Sequence, residues 1–183
     1  MKPLFFALLA TGMLCGVSFG EAFAETKAKA ERGDAEAQLR VGIQYYGGIG
    51  VAKNLVEAVK WTRKAAEQGN TTAQYQMGVW YTNGQGMAMD KIEGLMWFRK
   101  AAEQGDGKAQ VLLGVMYASG KSVEKDLVEA YAWFNLASVT EPQGSEGRNI
   151  FEEQMTPSQI ADAQKRTKEL AAMIEAKKAK KAK

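Results

Sequence analysis

The chain of 183 residues contains no histidine, and its one cysteine, Cys15, lies in an apolar run near the N-terminus. Those two facts remove whole classes of chemistry. Without histidine there is no Ser-His-Asp or Cys-His relay to activate a nucleophile. Zinc held by His and Cys, and haem ligated by His, go with them, so no catalytic residue, cofactor or metal is expected. Carboxylates alone remain for acid–base work. The 21 Asp and Glu residues are spread through helical patterns, and no close pair stands out from them. Two residues suit recognition better than catalysis: Trp80 and Arg40 are of the types that interface hot spots prefer. What they can do depends on the elements that carry them.

Those elements repeat. "WTRKAAEQGN" at 61–70 returns as "WFRKAAEQGD" at 97–106, a period of 36 residues. At that period Gly33, Gly69 and Gly105 align, as do Ala37, Ala73 and Ala109, and Gln38, Gln74 and Gln110. Further columns hold Gly42, Gly78 and Gly114; Tyr45, Tyr81 and Tyr117; Gly48, Gly84 and Gly120; Trp61, Trp97 and Trp133. Each unit carries two helical patterns around a glycine loop. The first spans about 35–46, 71–82 and 107–118; in the first unit Ala37, Val41 and Tyr45 share one face at i, i+4, i+8. The second spans about 55–68, 91–104 and 127–139 and opens on an N-cap residue, Asn54, Asp90 or Asp126. No segment reads as strand, so the chain is expected to be an all-α stack. Each unit then buries its apolar face only against its neighbour, which explains why one phrase recurs. The tryptophan column reads as core. A glycine inside a helix costs about 1 kcal/mol against alanine. The Gly42, Gly78, Gly114 column therefore implies close helix approach, with a bulky Trp or Tyr expected in the vacated space.

In stacked helix pairs the first helices line the concave surface. Positions there that vary between units are free of the packing code. They are Arg40, Gln76, Leu112 in one column and Gln44, Trp80, Met116 in another, four residues along the same face, with Tyr46 beside them. This set is the expected partner-binding groove. Trp80 and Met116 have an alternative role, packing against an adjacent helix or a C-terminal lid, and the sequence leaves both open.

The ends are different. Lys2, the apolar run from Leu4 to Phe19 and Ala22-Phe23-Ala24 form a secretory signal pattern. The run is shorter than the roughly 20 residues of a spanning helix, so cleavage after Ala24 and a mature N-terminus at Glu25 are expected, with no transmembrane anchor left. Met13 and Leu14 argue against lipid attachment at Cys15. Residues 25–139 then hold three repeats and an N-terminal half-unit. In 140–176, Thr156-Pro157-Ser158-Gln159 is a capping box that launches a helix over about 158–177. Its apolar stripe, Ile160, Ala163, Leu170 and Met173, suits a lid, and a shorter helix around 145–154 precedes it. The tail 177–183 carries five lysines; removing them from a net charge of +3 leaves the body at −2. That tail could meet anionic envelope surfaces or be a solvated helix end. Without aromatic interleaving it is a weak nucleic-acid signal, and no nucleic-acid partner is expected.

The pattern A-x-x-G-[DN]-x-x-A-Q-x-x-[LVM]-G-x-x-Y-x-x-G-x-G-V…A-x-x-W-x-x-x-A-A-x-x-G resembles that of the Sel-one-like repeat family, relatives of tetratricopeptide repeats. "AEAQLRVGIQYYGGIGVAKNLVEAVKWTRKAAEQG" (35–69) fits it closely, and the likeness covers about 28–139. Gly94 departs where alanine is usual, Ser122 replaces the second loop glycine, and Thr140-Glu141-Pro142 stands where a fourth unit would begin. The resemblance implies a right-handed α-solenoid used for protein–protein contact, often in bacterial envelopes. Some exported members of the family it resembles carry two cysteines per repeat and are linked to peptidoglycan or β-lactam chemistry; this chain lacks those cysteines, so that activity is not carried over.

The expectation is a non-enzymatic, periplasmic or secreted scaffold that offers a concave groove to a protein or peptide. Its rivals are a cell-wall factor that binds peptidoglycan or modulates a wall enzyme, a hydrolase using carboxylates, and a host-interaction protein.

Overall fold

A computed structural model describes residues 19–181. Among them every regular element is a helix. The order is α1 (Phe19–Glu31), α2 (Ala35–Gly47), α3 (Leu55–Glu67), α4 (Thr71–Asn83), α5 (Lys91–Ala102), α6 (Gly107–Ser119), α7 (Leu127–Ala137), α8 (Pro142–Glu152) and α9 (Pro157–Lys181). From α1 to α8 each helix packs mainly on the next in sequence, giving an α-solenoid, and α9 packs on α7. Residues 1–18 of the expected signal segment lie outside the described part. Its last residues, 19–24, open α1, which runs unbroken through the Ala24–Glu25 junction.

The local causes are the ones the repeat encodes. Asp34, Asn70 and Asp106 cap the first helices, accepting from the backbone N–H of Ala37, Ala73 and Ala109 at 2.7, 2.9 and 2.8 Å. Asn54, Asp90 and Asp126 do the same for α3, α5 and α7. The unit-closing glycines Gly33, Gly69 and Gly105 take φ of +97°, +86° and +91°, a region that side chains with a Cβ seldom enter. A glutamine ladder then ties unit to unit. The side-chain amides of Gln38, Gln74 and Gln110 donate to the buried carbonyls of Ala30, Ala66 and Ala102. Gln68 and Gln104 in turn donate to Gln38 and Gln74.

The space beside the in-helix glycines is not filled by Trp or Tyr. A Cβ on Gly78 would lie 2.5 Å from the Phe98 ring, and one on Gly114 would lie 2.8 Å from the Phe134 ring; Thr62 takes this place against Gly42. The residue after each tryptophan, not the tryptophan, faces the partner helix of its own pair. The tryptophans pack elsewhere in the core, Trp61 with Ala30 and Val41, Trp97 with Met77, Trp133 with Leu170 and Ile174. Gly94 is explained likewise, since a Cβ there would lie 2.6 Å from Thr82 Cγ2.

At the C-terminus α8 starts at Pro142, earlier than the sequence suggests, because proline fits the first helical position. This is one residue before position 143, where the period would open a fourth first helix. Gly144 and Gly147 let it close on α7, a Cβ on Gly147 falling 2.5 Å from the Phe134 ring. The capping box of α9 forms as read: Thr156 N–H donates to Gln159 Oε1 at 2.9 Å and Gln159 N–H to Thr156 Oγ1 at 3.3 Å. α9 folds back along α7. Ala163, Leu170 and Ile174 are its buried residues; Met173 and Ile160 are half-buried beside them. Arg166 Nε reaches Glu129 Oε1 at 2.6 Å across the two helices. Burial pushes its guanidinium down, but bonds to Glu129 and Glu169 hold it above the ordinary value.

Candidate functional site

The seven groove residues are not all at the surface. Arg40 is exposed, 68% of its side chain open to solvent, and pairs with Glu36 at 3.5 Å. Tyr46 is 38% exposed and stacks on Trp80, with centroids 5.6 Å apart and 20° between planes. Lys53 lies 5.8 Å from the same tyrosine ring. Trp80 itself is only 2% exposed and belongs to the core with Met77 and Trp97. Of the two roles open to it, the structure shows the packing one, and Tyr46 is what α2 presents above it. Gln44 and Gln76 are half-buried, and Gln44 Oε1 is buried without a partner, as is Trp80 Nε1.

Leu112 and Met116 do come together. With Tyr75, Val79 and Phe98 they line a cleft of about 380 Å³ between α4 and α6. Its mouth is polar, formed by Thr82, Asn83, Ser119, Ser122, Lys91 and Lys121. An apolar floor under a polar rim is the usual make-up of a ligand or peptide site. Neither Lys91 nor Lys121 is ion-paired in the described structure. Sequence reasoning did not single out these lysines, nor Tyr75 and Val79. The signal was available: Lys91 stands where the other units have Leu55 and Leu127, and Lys121 where they have Ile49 and Gln85.

A second cleft, about 410 Å³, runs along α3 beside Gly86. Its cations are already engaged: Lys60 binds Glu57 at 2.6 Å, Arg63 donates to Tyr81 Oη at 2.8 Å, and Lys64 lies 4.2 Å from the Trp61 ring centre. Two of these arrangements recur one unit on, at Arg99–Tyr117 and Lys100–Trp97, so they belong to the packing code. In the tail, Lys177 bonds to Glu103 and Lys178 to Glu175. Among the described residues no group of three or more His, Cys, Asp or Glu is placed to hold a metal, and no helix is long and apolar enough to cross a membrane.

The Sel1 repeat model matches residues 35–70, 71–106 and 107–138. Among solved structures, the chain is similar to c5321, a protective antigen of uropathogenic Escherichia coli with an SLR fold. Identity is 36% and the TM-score 0.76, covering 86% of this chain and 34% of that one. It is also similar to a Sel1 repeat protein from Oxalobacter formigenes, at 37% identity and TM-score 0.66, covering 68% of this chain and 52% of that one. The chain thus spans about a third of the first relative and half of the second. A comparison with curated proteins finds no match. With three matched repeats filling the solenoid, the chain belongs to the Sel1 repeat family.

Proposed function

We propose that this chain is an exported, non-enzymatic scaffold whose α4–α6 cleft receives a protein or peptide partner in the periplasm or outside the cell. Sel1 repeat proteins are in general scaffolds for protein–protein contact, and that much applies to the family as a whole. The observation that carries the finer reading is the cleft itself. Leu112 and Met116, both in columns that vary between units, give it an apolar floor within a polar mouth. Export rests on the basic, apolar and Ala-Phe-Ala pattern of residues 2–24.

Crosslinking in intact cells tests the cleft, and the mature N-terminus tests export. The full chain is compared with a Leu112→Gln, Met116→Gln variant, whose new residues are those of Gln76 and Gln44 in the same columns, with circular dichroism to check the fold. A partner captured by wild type and lost in the variant is the expected result; the same partner retained would move the working surface elsewhere. N-terminal sequencing of the cell-envelope fraction is expected to begin at Glu25.

The likeness to a protective antigen favours one further reading, exposure to a host. Antibody binding to intact, unpermeabilised cells checks it, and labelling only after permeabilisation would exclude it.

A further inference from the structure

We infer that the α4–α6 cleft selects a short acidic peptide segment bearing large apolar side chains, with Lys91 and Lys121 as the cations that read its carboxylates. The inference rests on the cleft being the working surface and adds the partner's chemistry.

Three observations converge on it. The first is where the lysines stand. Lys91 replaces the leucine of its repeat column, Lys121 stands in a column that varies from unit to unit, and both line the same cleft. The second is that Lys91 is the first residue of α5, the positive end of the helix dipole and an unfavourable place for a cation. Asp90, the preceding residue, turns its Oδ1 to the backbone N–H groups of Ile92 and Glu93, both at 3.0 Å, as the cap of α5, and no ion pair joins it to Lys91. The other units place Leu55 and Leu127 at this position. The third is contrast within the molecule: the cations of the α3 cleft are satisfied internally, whereas Lys91 and Lys121 have no ion pair in the described structure. Two unmatched positive charges beside an apolar floor favour a ligand that brings both negative charge and apolar surface.

Size and charge narrow the class. About 380 Å³ holds a few side chains, not a folded surface. Two cations are too few to hold a nucleic-acid backbone, whose affinity grows with each phosphate neutralised. A short peptide with one or two carboxylates next to Leu, Met or Phe satisfies both lysines and the floor formed by Tyr75, Val79, Leu112 and Met116.

The test is selection of a random dodecapeptide library on the full chain. Synthetic copies of the enriched peptides are then titrated by fluorescence anisotropy. Three proteins are compared: wild type, Lys91→Glu with Lys121→Glu, and Leu112→Gln with Met116→Gln. The expected result is enrichment of Asp or Glu near large apolar residues. Affinity falls about ten-fold on charge reversal, and the gap between wild type and reversal narrows at high salt. The apolar variant also weakens binding. If only the apolar variant weakens it, or the enriched peptides are neutral or basic, the cleft stands and the acidic partner is refuted. If neither variant changes binding, or no peptide is enriched, the cleft reading fails and takes the inference with it. Reversal at Lys91 places a carboxylate at a helix N-terminus, so loss of binding is not explained by loss of fold.

Discussion

Gly78 places packing above propensity. An alanine in mid-helix ordinarily stabilises by about 1 kcal/mol against glycine. Here the added methyl would sit 2.5 Å from the Phe98 ring, closer than carbon atoms pack, so the α4–α5 pair would have to part. Gly78→Ala is therefore expected to destabilise by about 1–3 kcal/mol, the usual range for overpacking, as measured by urea denaturation. A gain in stability would show that the ring can move aside. The period places a glycine opposite an aromatic-rich helix, but the aromatic it meets was not legible. Phe98 follows Trp97 directly, and adjacent residues on a helix point about 100° apart. Only the rotation of α5 against α4 decides which faces the glycine. Trp80 was undecided for a related reason: a column that varies between units can be free for binding or can be filling a local gap. The gap is set by Tyr46 one unit away.

Helix ends were far more legible than helix faces. Asn54, Asp90, Asp126 and Thr156 all cap as read, since an N-cap bond depends on residues only two or three positions apart. The repeat helices end within two residues of expectation. The start of α8 was misplaced because Pro142 can close one element or open the next. Helix α1 raises a question of processing. Its Phe23 ring meets Tyr45 edge-on, with centroids 5.4 Å apart and 84° between planes, yet Phe23 lies on the side removed by cleavage after Ala24. A chain beginning at Glu25 loses this pair. Against a chain beginning at Phe19 it is expected to be less stable by about 0.5–1.5 kcal/mol from the aromatic contact, read as a lower melting temperature. Replacing Phe23 by alanine in the longer chain should reproduce most of the loss. Equal melting of all three would mean that the half-unit is held by Ala30 and the Gln38 bond to its carbonyl alone.

A solenoid whose helices contact mainly their sequence neighbours distributes stability along its length rather than around one centre. In this chain the distribution is asymmetric. α1 packs on α2, whereas α7 is held by α6, α8 and α9 together. Trp133 is 1% exposed and shares its core with Leu170 and Ile174 of α9. In the earlier units, Lys64 and Lys100 lie over the tryptophans instead; Leu136 stands in that column of α7 and packs against the same core. The C-terminal end is therefore closed by apolar burial, and the N-terminal end by a single helix with one aromatic contact. Native-state hydrogen exchange should follow that gradient. Amides of α1 are expected to exchange first and those of α5 to α7 last, with α2 to α4 between them. Because the α4–α6 cleft lies at the boundary between the weaker and stronger parts, a bound peptide would slow exchange most in α4. Uniform exchange from α1 to α9 would instead mean that the three repeats and their caps open as one cooperative body, and that the neighbour-only view of this chain is wrong.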